Sequence, residues 1–163
     1  MNAEAFRYLY DYHFTENRRI WDDCVMSLSP EQFAQYVAYS HGSVRDQIIH
    51  LMDVDELWFS ELRGIQPSEP FPATSSDDRE NIRTKWDSIE QSMRDYLAHL
   101  RDDMLFDRPI KEPEEDKGLI VWQVLLHVVN HGTDHRAQLL RLVHDLGVKT
   151  TSQDFIFYIY DHP

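Results

Sequence analysis

Along four stretches of the chain, apolar side chains recur at alternating intervals of four and three, the spacing of helices buried on one face. The first stretch runs from about Glu4 to Leu28 and carries Phe6, Tyr10, His13, Asn17, Ile20 and Cys24 in series. Ser29-Pro30 should close it, because proline lacks an amide donor and disfavours helix at the residue before it. A short helical turn is expected around Pro30–Tyr36. The second helix starts at Ser43, with Asp46 three residues on as a variant capping box. Its stripe is Val44, Ile48, Leu51, Asp55, Trp58 and Leu62, and Gly64 ends it. The third runs from near Asp77 to Leu100 through Ile82, Trp86, Ile89, Met93 and Tyr96. The fourth is the most regular, with Val121, Leu125, Val128, Gly132, His135, Leu139, Leu142 and Leu146 in one seam and Gly147 at the C-cap.

Between them lie GIQPSEPFPATSS, which has the proline and serine content of a loop, and FDRPIKEPEEDKG, a loop or at most an irregular hairpin. Four amphipathic helices of similar length predict an all-α four-helix bundle with long connecting loops. The aromatic tail DFIFYIYDHP is expected to pack back on the bundle or on a second subunit. At 163 residues the chain suits one domain, spanning 1–163.

Charge narrows the function classes. The 16 Lys+Arg against 29 Asp+Glu give a net charge of −13, which argues against a nucleic-acid backbone or an anionic membrane as partner. The one cysteine excludes an intramolecular disulfide and fits a reducing compartment. No run approaches a membrane span, and MNAEAFRYLYDYHF lacks the marks of a signal peptide, so a cytoplasmic protein is expected.

Nine histidines change the picture further. LLHVVNHGTDHRAQL puts His127, His131 and His135 at successive i, i+4 positions, where neighbouring imidazoles on one helix face can hold one ion. At about 100° per residue, His135 falls near the middle of the apolar stripe, His131 within it and His127 at its edge. A histidine on an apolar face is ordinarily a hydrogen-bonded core residue. Two in one core need partners for four ring nitrogens, and a shared divalent ion satisfies one on each ring. A third ligand should come from a facing helix. His50 leads, His13 is a rival, and His41 falls in a loop; His99, His144 and His162 read as surface or helix-end residues.

Three neutral imidazoles would leave the ion its full charge and open positions for water. Such an ion can polarise a substrate oxygen, acidify water or hold a thiolate. Gly132 stands where a zinc protease needs glutamate, so peptidase chemistry by that route is not expected. No Glu-x-x-His pair of a di-iron bundle occurs.

The segments SHGSVRDQIIHLMDVDELWF and HVVNHGTDHRAQL, with Asn17-x-x-Ile20, the ELRG end of the second helix and the RLVHDLG close of the fourth, resemble the DinB (DinB/YfiT-like) family of bacterial four-helix-bundle proteins. By position, the resemblance implies a metal triad at His50, His131 and His135, holding a divalent ion, often zinc or nickel. It also implies dimers, and activities that range from thiol-dependent transfer, with a low-molecular-weight thiol activated on the metal, to metal-dependent hydrolysis. DNA binding is not implied.

Other polar residues lie near these ligands. Asp55 on the apolar stripe is either a bridge to the first helix or a proton acceptor. His127 is an outer partner, a proton shuttle or a rim hydrogen-bonder. Arg136 is expected in an interhelix or subunit salt bridge, with anion recognition the alternative. Cys24 reads as a buried small hydrophobe, and Trp58 and Trp86 as core. Two classes stay open: an enzyme acting on a small-molecule substrate, and a dimeric interaction protein whose site is structural or vestigial.

Overall fold

The computed structural model describes residues 1–72 and 77–163. The end of GIQPSEPFPATSS, residues 73–76, lies outside the described residues. Four long helices form the bundle: α1 (Ala3–Asp23), α3 (Val44–Arg63), α4 (Arg79–His99) and α5 (Val121–Asp145). Two short ones, α2 (Pro30–Ala34) and α6 (Phe155–Asp161), lie between and after them. Among the described residues there is no strand, and no helix is long and apolar enough to cross a membrane.

Local chemistry sets the helix ends. Ser43 accepts from the Asp46 amide at the start of α3, and Gly64 ends that helix at φ +66, where a side chain would be strained. At α2, Ser29 and Gln32 form a reciprocal capping box with Pro30 in the first turn. The first helix stops earlier than its periodicity predicts. The helix ends at Asp23, the Cys24 amide makes its last i→i−4 bond to the Ile20 carbonyl at 3.0 Å, and Val25–Ser27 continue as a 3-10 turn, with Ser27 Oγ donating to the Cys24 carbonyl at 2.6 Å. That contact satisfies one of the carbonyls orphaned at the helix end. Phe106 to Gly118 forms no hairpin: a 3-10 turn over Asp102–Phe106 leads into irregular chain.

α1 and α3 each pack on both α4 and α5, which places α1 and α3 at opposite corners of the bundle. Phe6, Ile48, Leu51, Met52, Ile82, Leu125 and Val128 fill the centre. Because α5 touches two partners, it is buried along two seams rather than one. Leu125, Val129, Gly132, Arg136, Leu139 and Val143 form the second, again at four-three spacing and all buried. Cys24 is buried in the core and Trp86 meets Trp21 edge-on at 6.1 Å.

The tail folds back on α1. Tyr158 is buried, Phe155 and Tyr158 meet Tyr8 and Tyr12 edge to face, and the Tyr8 hydroxyl donates to the His162 carbonyl at 2.7 Å.

Candidate metal centre

Four imidazoles meet where α3 faces α5. His131 and His135 stand one turn apart on α5, with ring centroids 4.2 Å apart. His50 comes across from α3, its Nε2 only 3.1 Å from His131 Nε2 and its ring 4.5 Å from His135. Two nitrogens on one tetrahedral ion at about 2.0–2.1 Å would sit roughly 3.3 Å apart, so the His50–His131 pair already has the separation of two ligands. The fourth ring is His41, from the turn that precedes α3. Nitrogens of His41, His50 and His135 all lie within 4.8 Å of one another, and these three could hold a metal ion; His131, expected as a ligand, is not one of that trio and meets it through His50.

Neighbouring polar groups aim the rings. Gln47, fully buried one turn before His50, places its amide nitrogen 2.7 Å from His135 Nδ1 and 3.1 Å from the His135 carbonyl. An amide nitrogen only donates, so in this arrangement Nδ1 accepts and the proton of the neutral ring sits on Nε2; binding an ion through Nε2 requires the amide turned over, with its oxygen accepting from Nδ1–H. Burial pushes His50 and His131 down to about 4, with repulsion from adjacent imidazoles adding to it, and His135 moves down for the same reasons. The rings are therefore neutral at pH 7, the form that offers a lone pair to a cation. Donor type, charge state and convergence fit a divalent ion.

One prediction follows from the protonation states. An unfolded histidine titrates near 6.5, and His50 and His131 in the fold near 4. Between those values the unfolded chain binds more protons, so stability falls as pH falls through the window and is constant above it. Each proton contributes at most about 1.4 kcal/mol per pH unit, and solvent screening of these half-buried rings reduces that. Urea unfolding of chelator-treated protein at pH 7, 5.5 and 4.5 should show the decline, flattened in a His50→Gln/His131→Gln variant. Equal slopes for both proteins would refute the assignment.

The other candidates lie around this cluster. His127 is exposed at the rim, its ring 5.2 Å from half-buried Trp58 and 5.8 Å from His131. Trp58 is thus at the edge of the core rather than in it. His13, the rival ligand, is not in the cluster. It is fully buried on α1, with Nε2 3.2 Å from Asp55 Oδ2 and Nδ1 3.1 Å from an Arg136 nitrogen. A guanidinium can only donate, so Nδ1 accepts and the ring proton sits on Nε2, facing Asp55. The pair is then a hydrogen bond to a neutral imidazole, not an ion pair. Asn17 Nδ2 lies 3.1 Å from the same Nε2, a contact this proton assignment leaves without a hydrogen bond.

Asp55, 2% exposed, bridges α3 to α1 through His13. Arg136 departs from the sequence expectation. Among the described residues it forms no salt bridge; it is fully buried against α1, donating to His13 Nδ1, Asn17 Oδ1, Gln153 Oε1 and Thr133 Oγ1, with its guanidinium 5.4 Å from the Tyr12 ring. Burial lowers its pKa, and Asp55 and Glu16 nearby oppose that shift. An Arg136–His13–Asp55 chain thus runs from α5 through α1 to α3 beside the imidazole cluster.

Gly132 makes that chain possible. A Cβ there would lie 2.4 Å from His13 Cε1, 2.7 Å from His13 Nδ1 and 3.0 Å from an Arg136 nitrogen. Sequence reasoning missed His41 as a ligand candidate because it lies in a turn with no periodicity. The available signal was its place two residues before the N-cap of the helix that carries His50.

Comparison with known proteins agrees with this architecture. Protein DinB of Bacillus subtilis (strain 168) is 22% identical over 167 residues, covering 98% of this chain and 96% of the relative. The DinB family pattern matches residues 1–162, end to end across the bundle that gathers these histidines, and the chain belongs to the DinB family.

Proposed function

We propose that the protein is a metal-dependent enzyme of the S-transferase type, using a divalent ion on His50, His131 and His135 to activate a low-molecular-weight thiol, or water, against a small-molecule substrate. The observation that carries this reading is the convergence of neutral imidazoles from two helices, with His50 Nε2 and His131 Nε2 at ligand separation. Zinc and nickel both suit an all-imidazole donor set. When bound, such an ion supplies an undiminished positive charge that acidifies a thiol or water and polarises a substrate oxygen.

The protein's own residues do the positioning. Gln47 fixes the His135 ring, and Asp55 with His13 braces α3 against α1. Of the two acid–base candidates, exposed His127 is the one placed to exchange a proton with solvent; Asp55 is closed off. A groove of about 310 Å³, lined by Gln35, Val37, Tyr39, Val44, Arg141, Leu142, Asp145 and Leu146, lies between residues that flank the His41 turn and the end of α5; none of the cluster imidazoles lines it. The −13 charge favours a small molecule over nucleic acid or a membrane surface. A cytoplasmic homodimer completes the reading. A metal-dependent hydrolase would use the same residues on water. A non-catalytic, structural site in a dimeric interaction protein is favoured by one observation, the fourth imidazole nearby, since a filled coordination sphere leaves no place for substrate.

Metal content by mass spectrometry on untagged protein tests the proposal. About one equivalent of a divalent ion is expected, absent in His131→Ala and in His135→Ala, with thiol transfer or hydrolysis that tracks occupancy. A native chain that carries no ion, and takes up neither zinc nor nickel on titration, would overturn it.

A further inference from the structure

We propose that His41 is a fourth imidazole ligand, entering the ion's sphere from the turn before α3 and filling its outward position. This rests on the metal-binding reading above. Ring nitrogens of His41 lie within 4.8 Å of those of His50 and His135. Its ring stacks on His50 at 3.8 Å, so the exposed side chain must turn out of that stack to aim a lone pair at an ion that His50 also holds. A solvent-exposed side chain on a turn would ordinarily gain rotamer freedom by pointing away from the protein. Here it is gathered in.

The backbone explains why. Ser40 has φ +50 and Gly42 φ +99, so two left-handed residues flank His41 and turn the chain back toward α3. Gly42 is favoured there by its backbone angle, and a Cβ would also push on the exposed Tyr36 ring, 2.8 Å away. The Ser40 hydroxyl donates to Gln47 Oε1 at 2.8 Å and also meets Gln138 on α5. Gln47 is the residue that holds His135. One short network therefore ties the His41 turn to both helices and to another ring of the cluster.

His41 remains exposed, unlike the three half-buried helix imidazoles, so its position is the one a solute meets first. Four imidazoles close a tetrahedral ion and leave an octahedral one two positions.

The test uses the full chain stripped with chelator and titrated with Zn²⁺ and with Co²⁺. His41→Ala should still bind one ion, more weakly by at least the roughly 10-fold that loss of an outer partner costs, and its cobalt complex should show visible bands shifted in position and intensity as water replaces a nitrogen. Far-UV circular dichroism should not change, because the residue is exposed. Unchanged affinity and cobalt spectrum in His41→Ala, with binding abolished in His131→Ala, would overturn the inference and leave the three-histidine site intact. No uptake by the native chain would overturn both.

Discussion

Arg136→Ala is expected to destabilise the protein by about 4 kcal/mol, within the range for removing one member of a buried charged network. The guanidinium is fully buried and donates to four groups, so its removal leaves acceptors on His13, Asn17, Thr133 and Gln153 without a donor. It also strands Asp55, whose contact to Arg136 runs through a single imidazole. The vacated volume adds a cavity term. For a chain of this size the melting temperature should fall by roughly 10 °C. Arg136→Met retains most of the volume, so its cost isolates the polar loss. Denaturant unfolding of both variants measures the two parts, and a loss under about 1 kcal/mol for Arg136→Ala would show that the network contributes little.

Gly132→Ala pits two effects against each other. Alanine in a helix interior is favoured over glycine by about 1 kcal/mol. Against that, the new methyl would stand 2.4 Å from His13 Cε1, inside any real contact distance. The ring has nowhere to go, because Asp55 holds one nitrogen and Arg136 the other. Overpacking of a rigid site typically costs about 1–3 kcal/mol, and the fixed ring puts this case at the upper end. A net loss of about 2 kcal/mol is expected. In a His13→Ala background the ring contacts are gone and only the Arg136 nitrogen at 3.0 Å remains, so the cost of Gly132→Ala should shrink by most of its value. An equal cost in both backgrounds would show that contact with the ring is not the cause.

The four bundle helices were legible because four-three spacing needs no tertiary information. Phe6 to Ile20, Val44 to Leu62, Ile82 to Leu100 and Val121 to Leu146 each mark a face that had to be buried. The end of α1 was not legible: Cys24 continues the apolar series, and only the 3-10 turn after it shows that burial persists while helical hydrogen bonding stops. Arg136 was misjudged for a related reason. Measured from His135 it points away from the first seam, yet it lies in the second, from Leu125 to Val143, which faces α1. That seam is present in the sequence as an arginine in an otherwise apolar series. An assumption of one buried face per helix hid it. His50, His131 and His135 could be ranked by helix angle. His41 could not, since nothing in a turn's composition says which cluster it approaches.

The glycine notch on α5 and the ring that fills it also bear on the rotational setting of the helix. A rotation of α5 by a single residue would swing its side chains through about 100° and carry His131 and His135 out of the cleft. Apolar packing already opposes the full swing, which would turn buried leucines and valines out to solvent, but it tolerates smaller offsets. The notch resists them sharply, since His13 seats at Gly132 and at no larger residue beside it. The joint therefore works like a keyway on a shaft. It transmits little load compared with the core, but it sets the angle at which the imidazoles arrive.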